Sequence, residues 1–397
     1  MMASAVPITA ETLVEGLITA RLSDRIGAWR LWTHFQQDNP FSDPDDFSAH
    51  LIEAGIATRW QLERIQHGFA AKLNPGSYVL IDDLGSGSIG SVYRASGRAD
   101  RRDYAIKILP ERSDWNIRQA RRLVQTLGQP GLPETVVPFL DVGTSGGMHY
   151  LVWPFVDGTS LQDRVRRSGI LPAASCAWLG LELASALRAC ENRGVLHGLL
   201  KPTNVLIDRQ RQTRLLDFGV GLLLAENAGQ LESMVDTYSS AAGFSGMLDC
   251  ASPELILEPT ELTAQCDQYS LGCVLYFALT GAYPFPTAGH TIEKVIAHQS
   301  RTPPEISGIN PEATPQLTSI VGQMMQKDPR SRFNSWDDVI AALTPLARPE
   351  LPGSSSELDL RTPAPMVGLR IPEPPETDTP PDEPRRGWLR RWLGSGG

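Results

Sequence analysis

The stretch His197-Gly198-Leu199-Leu200-Lys201-Pro202-Thr203-Asn204 decides how the chain is read. Asp217-Phe218-Gly219 follows shortly after it. Far upstream stand Gly85-x-Gly87-x-x-Gly90-x-Val92 and Ala105-Ile106-Lys107. The glycines lie between two strand-like segments, Val79–Asp82 and Ser91–Ala95, instead of opening a helix. Lacking Cβ atoms, they let backbone N–H groups approach a phosphate closely. Lys107 is embedded in the short apolar run Tyr104–Leu109, and a lysine in such a run needs a negative partner. Any one of these features alone would read as a turn or as an edge-strand lysine. Their order along one chain carries the information.

That order and spacing resemble the protein-kinase signature set, and within it the bacterial Ser/Thr kinases of eukaryotic (Hanks) type, over residues 78–346. The resemblance implies an α+β, two-lobed kinase fold that binds ATP and Mg²⁺ and transfers phosphate to Ser or Thr of a protein. It implies that Gly85, Gly87, Gly90 and Lys107 face the triphosphate and that Val92, Ala105 and Leu206 sandwich adenine. Val156 would offer it a backbone contact, and Trp153 would close the space behind it. Asn204 and Asp217 would hold Mg²⁺, and Lys201 would stabilise charge on the γ-phosphate. His197, Glu254, Asp267 and Arg332 would be structural, with Glu254 paired to Arg332 and Asp267 bracing the catalytic loop.

Several positions depart from the family pattern. The catalytic loop there reads His-Arg-Asp, whose Asp accepts the proton of the substrate hydroxyl. Here the Asp position is Leu199, which can neither accept a proton nor carry charge, and the Arg position is Gly198. The Thr that normally serves the catalytic Asp, ahead of Ala251-Ser252-Pro253-Glu254, is Met247. Leu199 and Met247 read as a matched loss. The helix after Lys107 should supply a Glu, yet Trp115–Pro133 holds no acid. The expected position falls on Gln119 or Ala120, beside Arg118, Arg121 and Arg122. From Leu215 to Glu293 there is no Lys or Arg, and the acids of that run, Asp249 among them, read mainly as solvated surface. Thr237, Tyr238, Ser239 and Ser240 are available for modification, but without an arginine at position 198 a phosphate there lacks its usual clamp.

Outward from this centre the chain divides into a helical extension (1–77), a strand-rich lobe (78–157), a helical lobe (158–346), a linker (347–384) and a basic tail (385–397). Thr12–Leu22, Asp46–Ala54 and Trp60–Leu73 have helical apolar spacing, and Thr58 is placed to cap the third. Acids outnumber bases around the last two, and neither carries a basic stripe, which argues against a DNA-reading helix pair. Ala173–Arg193 reads as a long helix. Gln268–Ile292 is free of charged residues but interrupted by Gly and Pro, so it reads as a buried core helix plus loop and not as a membrane span. The Pro-, Ser- and acid-rich linker cannot bury enough surface to order itself. In the tail, Trp388, Leu389, Trp392 and Leu393 share a helical face flanked by arginines, a pattern that suits an anionic membrane surface or a groove in a partner.

The 397 residues are 41% hydrophobic and 20% charged, with a net charge of −9, which excludes general nucleic-acid binding. Five scattered cysteines without a Cys-x-x-Cys pair read as reduced core thiols, and no signal-peptide pattern opens the chain. The expectation is a cytoplasmic protein, peripheral at a membrane if the tail engages one. It binds ATP–Mg²⁺ and serves an unidentified protein partner as a pseudokinase or scaffold. The alternatives are a weakly active Ser/Thr kinase and an adaptor working through its two ends.

Overall fold

The structure is a computed structural model that describes residues 9–40, 43–87, 90–109, 117–220, 246–258, 262–286 and 291–348. The linker, the tail, and the segment holding Thr237, Tyr238, Ser239 and Ser240 lie outside the described residues.

Four helices open the chain: α1 (Ala10–Thr19), α2 (Arg25–Asp38), α3 (Pro44–Glu53) and α4 (Arg59–Gln66). They form two helical hairpins of one design. Leu13 and Leu17 of the first are buried as Phe47 and Leu51 are in the second. Each first helix ends in the same paired turn: Leu22 N–H bonds Leu17 C=O at 2.9 Å, and Ile56 N–H bonds Leu51 C=O at 3.0 Å. A left-handed residue, Arg21 or Gly55, makes the turn, and a side-chain cap, Asp24 or Thr58, starts the next helix. The expected helix Trp60–Leu73 is shorter. It stops at Gln66, Gly68 takes φ 80°, and only a 3₁₀ turn, Ala70–Leu73, follows.

The second layer is a five-stranded antiparallel sheet in the order β1-β2-β3-β5-β4: β1 (Tyr78–Gly87), β2 (Gly90–Gly97), β3 (Asp103–Ile108), β4 (Asp141–Ser145) and β5 (Met148–Pro154). Strand period two divides its side chains. Ile106, Tyr150 and Val152 face the α1–α4 helices and share a core with Leu13, Leu17, Phe47 and Leu62. Leu151 and Trp153 belong to the other core, which runs through α5 (Ile117–Leu127) into the helical lobe. Lys107, next to Ile106, is therefore on the face turned to the second lobe.

That lobe opens with α6 (Leu161–Ser168) and is centred on α7 (Ala173–Glu191) and, after the short α8 (Pro253–Leu257), on α9 (Ala264–Thr280). All residues of α9 from Cys266 to Leu279 are buried, which explains why the sequence there avoids charge apart from Asp267. No described helix is long and apolar enough to cross a membrane. A small sheet of β6 (Gly158–Ser160), β7 (Val205–Asp208) and β8 (Thr213–Leu215) lies beside α7 and carries the catalytic-loop segment. α10 (Thr291–Ser300) packs on α8. This arrangement is the two-lobed kinase fold.

Because α1–α4 and the sheet share one core, damage to the helices should unfold the strand lobe with them. Phe47 is fully buried and meets Trp32 edge to face at 5.0 Å. Phe47→Ala should cost about 3–5 kcal/mol. Denaturant unfolding followed at the far-UV and at a strand-lobe tryptophan should show one shifted transition, whereas two separated transitions would show that the helices fold independently.

Candidate nucleotide site between the lobes

The site begins with a buried ion pair. Lys107 Nζ donates to both carboxylate oxygens of Asp217, at 2.7 and 2.6 Å, with side-chain exposures of only 9% and 11%. The ammonium also lies 5.2 Å from the centre of the Trp153 ring, which itself packs against Phe139 at a tilt of 55°, with ring centres 4.6 Å apart. A cation over an indole face is favoured electrostatically, more so when desolvated. Sequence reasoning anticipated Gln119 or a phosphate as the lysine's partner. In the structure the partner is Asp217, and Gln119 is half-buried on α5. Leu123, on the next turn of that helix, reaches Gly219 closely enough that a Cβ there would meet it at 2.9 Å. Asp217 adopts φ 63°, an unfavourable value for a non-glycine residue, and the two hydrogen bonds from Lys107 hold it there.

The loop His197–Asn204 is fixed from beneath by Asp267 of α9. Its carboxylate accepts the backbone N–H of His197 at 2.7 Å and of Gly198 at 2.8 Å. Burial pushes the Asp267 carboxyl up to about 7, against the pull of those two donors. His197 Nδ1 accepts the Leu199 N–H at 3.2 Å, so Nε2 carries the proton and donates to Leu216 C=O at 2.9 Å. This neutral tautomer agrees with a pKa lowered to about 4 by burial. Gly198 has φ 73°, a left-handed value at which an arginine would be strained.

Asn204 Nδ2 donates to Leu199 C=O at 3.0 Å, and Asn204 C=O accepts from Leu216 N–H at 2.9 Å. The loop thus brings Asn204 and Asp217 together through their backbones. With Nδ2 engaged, that leaves Asn204 Oδ1, which also accepts from Thr203 Oγ1 at 3.4 Å, as the side-chain oxygen that could meet a metal. One carboxylate and one amide oxygen fit Mg²⁺ that arrives with phosphate and takes its remaining ligands from it, as this ion usually does.

Lys201 is half-buried. Its pKa is lowered, first by burial and then by Lys107, while Asp217 and Asp249 oppose the shift. Asp249 is already paired with Lys294 of α10, which is 5% exposed. The expectation of a solvated acid at position 249 is therefore corrected: a lysine just beyond the Lys/Arg-free run reaches back to it. Lys107 is thus paired with Asp217 and Lys294 with Asp249, and Lys201 feels the charge of both carboxylates.

Leu199 and Met247 both pack, partly buried, against the large hydrophobic core. Elsewhere the structural residues pair as the sequence suggests: Arg332 Nη1 and Nη2 donate to Glu254 Oε1 and Oε2 at 2.6 and 2.9 Å. Burial works against charge on Glu254, but the guanidinium outweighs it and holds the carboxyl below its usual range. Gly85, Gly87 and Gly90 sit on the β1–β2 hairpin, with Gly85 opposite Val92 and Gly87 opposite Gly90. At Gly90, φ is 152° and a Cβ would meet Ile108 C=O at 2.1 Å, so only glycine fits. Val92, Ala105, Val156 and Leu206 are each half-buried.

A family model described as the protein kinase domain matches residues 78–342, and the chain belongs to this family. Its domain is of the bacterial serine/threonine type. The chain is 29% identical over 280 residues to a probable serine/threonine-protein kinase of Clostridium perfringens, covering 68% of this chain and 38% of that protein. It is 32% identical over 273 residues to the serine/threonine-protein kinase PknD of Mycobacterium tuberculosis, covering 67% and 39%. To PknH of the same organism it is 30% identical over 321 residues, covering 78% and 49%. The chain thus spans less than half the length of these curated relatives.

One titration can be read from the packing beneath Asp249. His298 is fully buried against Tyr269, with Nδ1 at 3.0 Å from the Tyr269 hydroxyl, and burial, then Lys327 and Lys294, lower its pKa to about 3. The unfolded chain takes up this proton near 6.5 and the folded chain only near 3, so the stability from neutral His298 is complete above pH 6.5 and lost as pH falls toward 3. Each unit of depression corresponds to about 1.4 kcal/mol. Unfolding free energies measured from pH 7 to 4.5 should fall more steeply for the native chain than for His298→Phe. Parallel profiles would contradict the assignment.

Proposed function

We propose that this chain binds ATP with Mg²⁺ between its lobes and acts in signalling as a pseudokinase, a nucleotide-responsive scaffold for a protein partner, with little or no phosphotransfer. One observation carries the reading. At the position where a substrate hydroxyl needs a proton acceptor there is Leu199, partly buried against the hydrophobic core, as is Met247. Neither apolar side chain brings a polar group that would need a partner there, so the two replacements are compatible with each other.

The nucleotide side supports binding. Lys107 and Lys201, with Asp217 near both, are the ammonium groups that an incoming triphosphate would meet. Lys107 would exchange carboxylate oxygens for phosphate oxygens and stay held over Trp153. Backbone N–H groups of the hairpin would meet the phosphates, and Val92, Ala105 and Leu206 would take the adenine. Mg²⁺, when bound, would supply charge neutralisation between phosphates. Asn204 and Asp217 are the residues that would hold it.

A weakly active Ser/Thr kinase is the second reading, favoured by the intact Lys107–Asp217–Asn204 group and by Lys201. Phosphoryl transfer depends mostly on positioning and charge, and a general base typically adds ~10²–10⁴-fold, so its loss need not abolish turnover.

A thermal-shift titration with Mg-ATP, run beside a radiolabelled autophosphorylation assay, tests the proposal. Binding should raise stability by about 2.7 kcal/mol at a hundredfold excess over Kd. Lys107→Met and Asp217→Asn should each reduce that gain, and label should not be incorporated. No shift at millimolar Mg-ATP would remove nucleotide binding. Strong incorporation abolished by Lys107→Met would make the chain an active kinase.

A further inference from the structure

The first strand of the glycine-rich hairpin is irregular in a way that its own sheet does not satisfy. Its register against β2 slips between Leu80 and Asp82 and again between Asp83 and Gly85. Ile81 and Leu84 are therefore extra residues, and a bulge leaves backbone groups outside the ladder. At the first bulge the missing donors come from the helical extension. Thr58 Oγ1 donates to Ile81 C=O at 2.7 Å, and Gln61 Nε2 donates to Leu80 C=O at 2.6 Å. Gln61 is only 4% exposed.

The same two side chains cap α4. Thr58 Oγ1 accepts the Gln61 N–H at 3.1 Å, and Gln61 Oε1 accepts the Thr58 N–H at 2.9 Å. Each thus works as an acceptor toward its helix and a donor toward the strand, which a hydroxyl and a primary amide can do and a carboxylate cannot. Between them Trp60 packs against Tyr93 of β2, with ring centres 5.4 Å apart and the planes tilted by 43°. Tyr93 stands opposite Asp83, whose Oδ1 accepts the N–H of Gly85 at 2.7 Å. The first turn of α4 therefore holds both strands of the hairpin immediately before the glycines.

We propose that Thr58 and Gln61 are positioning residues for the glycine-rich loop: through the bulge at Leu80–Ile81, the helical extension fixes the hairpin in the geometry that receives a nucleotide's phosphates. The inference rests on the nucleotide-binding reading above and gives residues 1–77 a role in it. It makes phosphate affinity, and not adenine affinity, depend on α4. The glycines would face phosphate, whereas adenine would lie against Val92, Ala105 and Leu206.

The test uses the full chain and three variants, titrated calorimetrically with Mg-ATP and with adenosine. Thr58→Asp keeps a good helix cap but cannot donate to Ile81 C=O. Gln61→Met removes the donor to Leu80 C=O, and with it the acceptor for the Thr58 N–H, without introducing charge. Thr58→Ser retains both functions and serves as the rescue. Loss of one such hydrogen bond should weaken Mg-ATP about fivefold in the first two variants, leave adenosine unchanged, and leave Thr58→Ser like the native chain. Backbone amide exchange across residues 82–87 and 90–92 should quicken in the same two variants. Unchanged ATP affinity would overturn the proposal, as would ATP and adenosine weakening in parallel with lower melting temperature, the signature of a purely structural role. If the native chain binds neither ligand, the nucleotide reading fails by itself. Amide exchange then decides the positioning role, and unchanged exchange in the hairpin overturns it.

Discussion

The Lys107–Asp217 ion pair is the constraint on which the rest of the site depends. It joins the strand lobe to the helical lobe through two buried charges separated by 110 positions in the chain. Buried charges are costly to desolvate, and removing one partner commonly costs about 3–5 kcal/mol because the other is left uncompensated. The pair survives here because its surroundings are ordered around it. Trp153 offers its face to the ammonium, Leu123 of α5 packs against the Gly219 turn, and the His197–Leu216 bond fixes the chain just before Asp217. The same pair keeps a cation and a metal-type ligand aligned.

The absent acids form a consistent set. With Leu199 where the family has its proton acceptor, and Gln119 or Ala120 where it has the helix acid, the sequence carries no acid at either position. The compensation is apolar at Leu199 and Met247, which pack on the core, and aromatic at Lys107, which leans on Trp153. The frame under the loop has not changed in step. Asp267 still receives the two backbone N–H groups, and Glu254 still holds Arg332 in a two-point bond. Structural polar groups have been retained while the polar groups on the phosphoacceptor side are missing, and this asymmetry underlies the pseudokinase proposal.

Most of the architecture was legible in the sequence because it rests on local periodicity. The apolar run around Lys107 and the uncharged stretch of α9 announce a strand and a buried helix through residue type alone. Helix α2 escaped notice because its pattern is weak: Ala28 and Phe35 are buried, but Ile26 is 72% exposed and Trp29 36%. The sequence pattern overruns the end of α4 because the apolar spacing continues through Leu73 while Gly68 turns the backbone at φ 80°. In the site, the residues themselves could be picked out, but the pairings less so. Nothing in the spacing links Lys107 to Asp217 or Lys294 to Asp249, since those bonds follow from how the chain closes on itself. The grip of Thr58 and Gln61 on β1 was equally hidden, because a capping box looks the same whether or not its side chains have a second partner.

On the proposed reading, phosphotransfer is weak or absent because a linked set of polar groups is missing, and not because the nucleotide side has failed. Reconstitution tests this most directly. γ-Phosphate transfer from radiolabelled ATP should be measured for the native chain, for Leu199→Asp, and for the triple variant Leu199→Asp, Met247→Thr, Gln119→Glu. The account predicts transfer by the triple variant alone, because an isolated carboxylate at position 199 would lack its hydroxyl partner and Lys107 its acidic brace. Efficient transfer by the native chain, or full activity from Leu199→Asp alone, would contradict it.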